Sequence, residues 1–276
     1  AAKLRYDLDE PFTATNPTGN SQELSFNINK PLNSIGKINL DSNLTLSESE
    51  YENKNNTPSN VQKDITRAIA KIDFSRNDQF FKGGVNYGSA IFTLGDLNDT
   101  STTSSTNGAL GDFSKFNLNF SRFQRLSDQN VLQVNLSSQY AFKNLDSAEK
   151  FTLGGPYGIR AYPNSEGQGD HGFMANIELK HGFTEKLEGM IFYDWGKIQQ
   201  HQNTYANWDS DKPGKKNIYE LQGAGLGLTL NVSENTKFNA MFSTTMGNND
   251  GEDANGLDND GLTKDKRVFI SFSSSF

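Results

Sequence analysis

Apolar and polar residues take turns along most of this chain. Leu24, Phe26 and Ile28 alternate with Ser25, Asn27 and Asn29, and Phe116, Leu118 and Phe120 alternate with Asn117, Asn119 and Ser121. Leu132, Val134, Leu136, Tyr140 and Phe142 do the same against Gln133, Asn135, Ser137 and Gln139. A period of two puts apolar groups on one face of a strand and polar groups on the other. The pattern predicts strands over Leu4–Phe12, Glu23–Leu32, Lys37–Glu48, Ile65–Asn77, Phe80–Leu94, Phe113–Leu126 and Val131–Phe142. It resumes over Gly172–Gly182, Lys186–Lys197, Ile218–Val232, Thr236–Gly247 and Lys266–Phe276, giving about 12 strands in all. Most are longer than the ~5–6 residues usual in globular strands. Helical periodicity is absent.

The connections come in two sizes. Tight polar turns fall at 33–36, 127–130, 184–185 and 233–235, while long loops rich in Asn, Asp, Ser, Thr and Gly fall at Glu48–Asp64, Gly95–Asp112, Gln199–Asn217 and Asn248–Asp265. Short and long alternate, as in an outer-membrane barrel with short periplasmic turns and long extracellular loops. A soluble sandwich has shorter strands without that alternation, and a solenoid needs a repeat period that is missing here. The expected fold is therefore all-β: a transmembrane antiparallel β-barrel spanning 1–276. Its apolar face meets lipid, its Asn/Ser/Thr/Asp face meets a watery lumen, and the sheet closes because hydrocarbon cannot satisfy an open edge.

Composition sharpens this picture. Only 34% of the 276 residues are hydrophobic, yet 11% are aromatic, which a disordered chain would not carry. A net charge of −7 speaks against a nucleic-acid partner. The absence of cysteine excludes a disulfide framework and thiolate metal sites. No apolar run is long enough for a transmembrane helix. No charged-then-apolar leader opens the sequence, so an exported protein would be read here in a mature or trimmed form.

Sites of chemistry are scarce. His171, His181 and His201 lack metal-ligand spacing, and no G-x-S-x-G elbow occurs. The acidic stretch Gly247–Gly261 lacks the spaced ligands of a calcium loop and reads as a solvated loop. "GAGLGLTL" from Gly223 has no helix after it, so its glycines read as closely packed strand positions rather than a dinucleotide site. No enzyme activity, cofactor or metal is expected.

One segment stands apart. Phe151–Phe173, "FTLGGPYGIRAYPNSEGQGDHGF", holds six glycines, two prolines and a single arginine, Arg160. Within it Gly154 and Gly155 precede the tip Ile159-Arg160-Ala161-Tyr162, followed by Pro163, Glu166, Gly169 and Asp170. The next strand but one reads "GMIFYDWG", with Phe192, Asp194 and Gly196. These two linked motifs, with five strands after the loop, resemble the hallmark of two-partner secretion transporters of the Omp85 superfamily, of the CdiB and haemolysin-exporter type.

The resemblance implies a family barrel of sixteen strands, against about 12 readable in this chain, with this loop, residues 145–171, folded into the lumen. It implies export of a large β-helical exoprotein (adhesin, haemolysin or contact-dependent inhibition toxin) across the outer membrane of a Gram-negative bacterium. The implied partners are outer-membrane lipid, the passenger and the barrel-assembly machinery, with the transporter itself a monomer. Alternatives from other classes are a barrel-assembly insertase and a simple diffusion pore. The family's POTRA domains and plug helix are not found in this chain, and Ala161 stands where the family has Gly, so the tip must avoid a backbone conformation that only Gly tolerates. A truncated or remodelled barrel is thus expected.

Strand parity supports a partner for Arg160. Phe173, Ala175, Ile177 and Leu179 share one face, leaving Met174, Asn176, Glu178 and Lys180 on the other. Gly189, Ile191, Tyr193 and Trp195 likewise leave Glu188, Met190, Phe192 and Asp194 opposite. Glu178 and Asp194 then both face the lumen, sparing a carboxylate from lipid. The family resemblance names Asp194 as the acid that Arg160 latches onto; parity merely permits it, with Glu178 a second candidate. An Arg160–Glu166 pair in an exposed loop is the plainer alternative. Finally, Phe276, Ser274, Phe272, Ile270 and Val268 share a face of the last strand, and the terminal Phe276 resembles the assembly signal of outer-membrane barrels or, alternatively, an interface-belt aromatic.

Overall fold

The computed structural model describes residues 2–7, 18–54, 61–99, 107–210 and 212–275. The chain opens with β1 (Ala2–Asp7), β2 (Thr18–Ile35), β3 (Ile38–Lys54), β4 (Val61–Asp78), β5 (Gly84–Asp99), β6 (Gly111–Arg125) and β7 (Asn130–Ala141). Two-residue strands β8 (Phe151–Thr152) and β9 (Gln168–Gly169) form a hairpin inside the next loop, followed by β10 (His171–Gly182), β11 (Leu187–Gln199), β12 (Ile218–Ser233), β13 (Thr236–Thr245) and β14 (Lys266–Ser274). All but β8 and β9 join one 12-stranded antiparallel sheet in chain order, β7 pairing directly with β10. The sheet ends at β1 and β14, with no pairing between them among the described residues.

Register explains the amphipathic faces. Leu132, Leu179, Ile191 and Leu226 line up across β7, β10, β11 and β12, and Ile191 is 60% exposed. So large an uncovered apolar stripe is expected where lipid, not water, meets it. The opposite face carries Gln133, Glu178 and Phe192 in register. Polar side chains knit it together: Asn43 donates to Asn29 at 2.5 Å, Thr45 to Asn27 at 2.6 Å and Asn117 to Gln139 at 2.9 Å.

Several strand limits differ from the sequence reading. Where loops were expected over Glu48–Asp64 and Gly95–Asp112, β3 runs on to Lys54, β4 starts at Val61, β5 reaches Asp99 and β6 starts at Gly111. Glu48 through Asn53 pair with Val61 through Thr66; backbone pairing continues past the apolar stripe, where alternation is no longer needed because both faces are wet. At the other end, β5 begins at Gly84 rather than Phe80. Phe81 has φ of 54°, and Gly83 closes the turn by donating to the Phe80 carbonyl at 2.9 Å. The outer part of the expected first strand, residues 8–12, lies outside the described residues, as does Phe276.

Candidate functional site

The loop between β7 and β10 packs onto the polar face of the sheet, and its glycines dictate how. Leu153 and Gly154 donate to the carbonyls of Gly167 and Glu166 at 3.1 and 2.8 Å, extending the β8–β9 hairpin. Gly155, at φ of 116°, starts a turn in which Gly158 donates back to it at 3.0 Å. A Cβ on Gly158 would strike the Leu153 carbonyl, so only glycine fits there. Ile159 then donates to the Leu153 carbonyl at 2.7 Å, which turns the Arg160 N–H toward β11.

Arg160 is 4% exposed and Asp194 fully buried. Asp194 Oδ2 accepts from the Arg160 backbone N–H at 3.0 Å and from Nε at 2.9 Å, and Oδ1 accepts from Nη2 at 2.6 Å. Nη1 donates to Glu178 Oε1 at 2.7 Å, so every nitrogen of the guanidinium has a carboxylate partner. The side-on fork matches a carboxylate in both geometry and charge. Phe192 lies beneath, its ring centroid 3.6 Å from the guanidinium carbon. Asn176, opposite Asp194 in the ladder, donates to Asp194 Oδ1 at 2.8 Å and to the Gly158 carbonyl at 2.9 Å. Lys180 sits 3.2 Å from Glu178 Oε2. Charge and hydrogen bonds are thus both accounted for in a buried site, the condition under which a buried ion pair is tolerated.

Small residues on the wall make room for the tip. The Ala161 methyl sits over Gly223, where an added Cβ would lie 2.7 Å from it, and Ala161 keeps an ordinary negative φ. A Cβ on Gly196 would approach the Leu153 and Ile159 side chains to 2.5 and 3.0 Å, and one on Gly225 would strike Phe192. Leu153, Ile159, Ala161 and Tyr162 pack with Met174, Ile198, Tyr219 and Leu221 in one buried cluster. Ser243 donates to the Arg160 carbonyl at 2.7 Å, and Arg267 to the Ala161 carbonyl at 3.1 Å.

The remaining motif residues bind other parts of the loop system. Glu166 is separate from Arg160. It accepts from Asn249 at 2.9 Å and from the Asn259 N–H at 2.7 Å, beyond the Pro163–Glu166 turn. Burial first, then the Asp258 and Asp260 carboxylates, hold its carboxyl above its ordinary range against those two donors. The acidic loop is accordingly not merely solvated: Asn249 is buried, because Glu166 needs its amide. Gly169 lies tight against the Gln199 carbonyl. Asp170, fully buried, accepts from the Leu145 and Gln202 N–H groups at 3.0 and 2.7 Å and pairs with Lys150 at 3.0 Å.

Sequence reasoning misses one further knot. At the root of the loop, Glu149 lies between Arg67 of β4 and Lys115 of β6, at 2.9 and 2.8 Å, while Asp146 pairs with Lys63 at 2.6 Å. Asn176 could have been found, since it shares the face of Glu178 two positions away. Loop residues carry no parity signal, and Glu149 is 82 positions from Arg67.

The family model for the haemolysin secretion/activation proteins ShlB/FhaC/HecB matches residues 4–230, most of the chain. The haem/hemopexin transporter protein HuxB of Haemophilus influenzae is 25% identical over 256 residues, and its relative in strain Rd 27%; each alignment covers 89% of this chain and 44% of the relative. The chain therefore spans under half the length of the curated relatives it matches. Among solved structures, CdiB from Escherichia coli superposes with a TM-score of 0.76 at 16% identity, covering 99% of this chain and 49% of that one. CdiB from Acinetobacter baumannii gives 0.70 at 17%, covering 99% and 46%. At such identity these two likenesses speak for the barrel fold alone.

Proposed function

The chain belongs to the haemolysin secretion/activation protein family ShlB/FhaC/HecB, and we propose that it forms the barrel of a two-partner secretion transporter. In this reading it passes an unfolded exoprotein, a large β-helical passenger, across the outer membrane without nucleotide hydrolysis. The conduit is the polar lumen, and residues 145–171 lie in it as a plug. Arg160 is the latch, with Asp194 its main acid and Glu178 its second. Gly154, Gly155, Ile159, Ala161, Tyr162 and Pro163 shape the tip, and Phe192 and Gly196 receive it. Export requires that latch to open. The barrel works as a monomer, its outer face on lipid, after insertion by the barrel-assembly machinery.

One observation carries the reading: the Arg160 guanidinium, held by Asp194 at 2.6 Å and Glu178 at 2.7 Å on the polar face. An incidental loop over a diffusion pore would not need a buried cation matched to two acids from two strands.

Single-channel recording in planar bilayers tests it. Arg160→Ala and Asp194→Asn are expected to raise the conductance or make it fluctuate, each relative to a low, steady wild-type current. Wild-type currents in both variants would leave the loop a passive strap and the latch reading wrong.

A further inference from the structure

Near the rim formed by the short turns, the lipid-facing side of β4–β6 carries charge. Phe74 and Arg76 share that face on β4 with Asn86 on β5 and Phe120 and Arg122 on β6, as their register requires. A hollow of about 330 Å³ lies there, lined by the apolar Ile38, Phe74 and Phe120 together with Arg76, Arg122 and Asp78. The two phenylalanine rings stack at 6.4 Å between centroids, over Gly88, which leaves them space. Arg122 is immobilised by Asp78 at 2.8 Å and Asn86 at 2.7 Å, with the Phe80 ring 5.9 Å away. Arg76 is exposed and forms no ion pair among the described residues. The two arginines and Asp78 leave one net positive charge beside an apolar shelf.

We propose that this hollow binds one anionic phospholipid, its phosphate on Arg76 and its acyl chains along Phe74 and Phe120. The fold itself names the class of occupant, because the outer face of such a barrel is covered by lipid. The adjoining 79–83 turn is of the short, periplasmic kind, and its exposed Phe80 and Phe81 mark the interface level. There a phosphodiester is the anion at the depth of Arg76, and basic pockets at that depth select anionic headgroups.

Native mass spectrometry of the detergent-solubilised full chain is the test, with phosphatidylglycerol and phosphatidylcholine of identical acyl chains as competing probes. Wild-type protein should retain phosphatidylglycerol preferentially. Arg76→Gln, at an exposed position that leaves the fold intact, should lower that preference roughly five-fold, the size of about one phosphate–cation contact near a membrane surface. Lys82→Gln, which removes a neighbouring exposed cation paired with Asp128, should leave it unchanged. Equal retention of the two lipids by the wild type would overturn the proposal. An equal loss in both variants would do so too, by reducing the effect to diffuse surface charge.

Discussion

Asp194 and Glu178 both touch Arg160, but they are not equivalent. Asp194 is fully buried and accepts from the Arg160 backbone, from its guanidinium and from Asn176, whereas Glu178 receives one guanidinium N–H and shares Lys180. Asp194→Asn should therefore cost about 3–5 kcal/mol, the scale of stranding a buried charge, and Glu178→Gln markedly less. Urea midpoints in lipid vesicles measure the difference, and equal losses would contradict the asymmetry. How far these residues were legible follows from their setting. Strand parity alone puts both acids on one face. The choice between them needed the position of a loop tip, which has no period to read. Glu149 was invisible for the same reason, since its partners Arg67 and Lys115 belong to strands far away in sequence.

Among the strands, alternation was the strongest signal and carried the ladder nearly intact. Its meaning can be tested by reversing it. Ile191 points outward among Leu179 and Leu226, so Ile191→Arg should cost about 2–4 kcal/mol near the bilayer midplane. Ser137, on β7 at a position facing the lumen beside Met174 and Asn119, should accept arginine within about 0.5 kcal/mol. Equilibrium unfolding in vesicles would refute the face assignment if the two costs came out alike. Strand ends were poorly legible by comparison. Beyond the membrane both faces meet water, so β3 to β6 keep pairing through Glu, Asn and Asp residues that alone suggest loop.

Across the molecule, the long loops lock together around the 145–171 loop. Asp170 and Asn144 hold the 200–217 loop through Gln202 and Asn203 at 2.7 Å each, and Lys150 reaches His201 Nδ1 at 3.4 Å. Burial, and then the Lys150 ammonium with Lys215 behind it, push the His201 imidazole from 6.5 down to about 4, with Asp170 opposing. A released His201 takes up its proton before the docked one does. The docked loop therefore has this support in full above pH 6.5 and loses it as pH falls from 6.5 through about 4. Glu166, with its raised carboxyl, works in the opposite sense, its support fading as pH rises. Protection factors for amide exchange in 200–217, taken against the intrinsic rate at each pH, should accordingly fall over the acid window, and His201→Gln should flatten that slope; an unaltered slope in the variant would assign it to other groups. The sequence by itself determined a two-faced strand ladder, its short and long connections and a glycine-rich loop with one cation, because these depend on period, length and backbone freedom. Only the tertiary structure decided how the two acids share the cation, where the loop root is pinned, that Glu166 belongs to the outer loops and that Ala161 rests on Gly223. Those outcomes depend on distances between groups remote along the chain, which are set by how strands stack side by side and not by any local pattern.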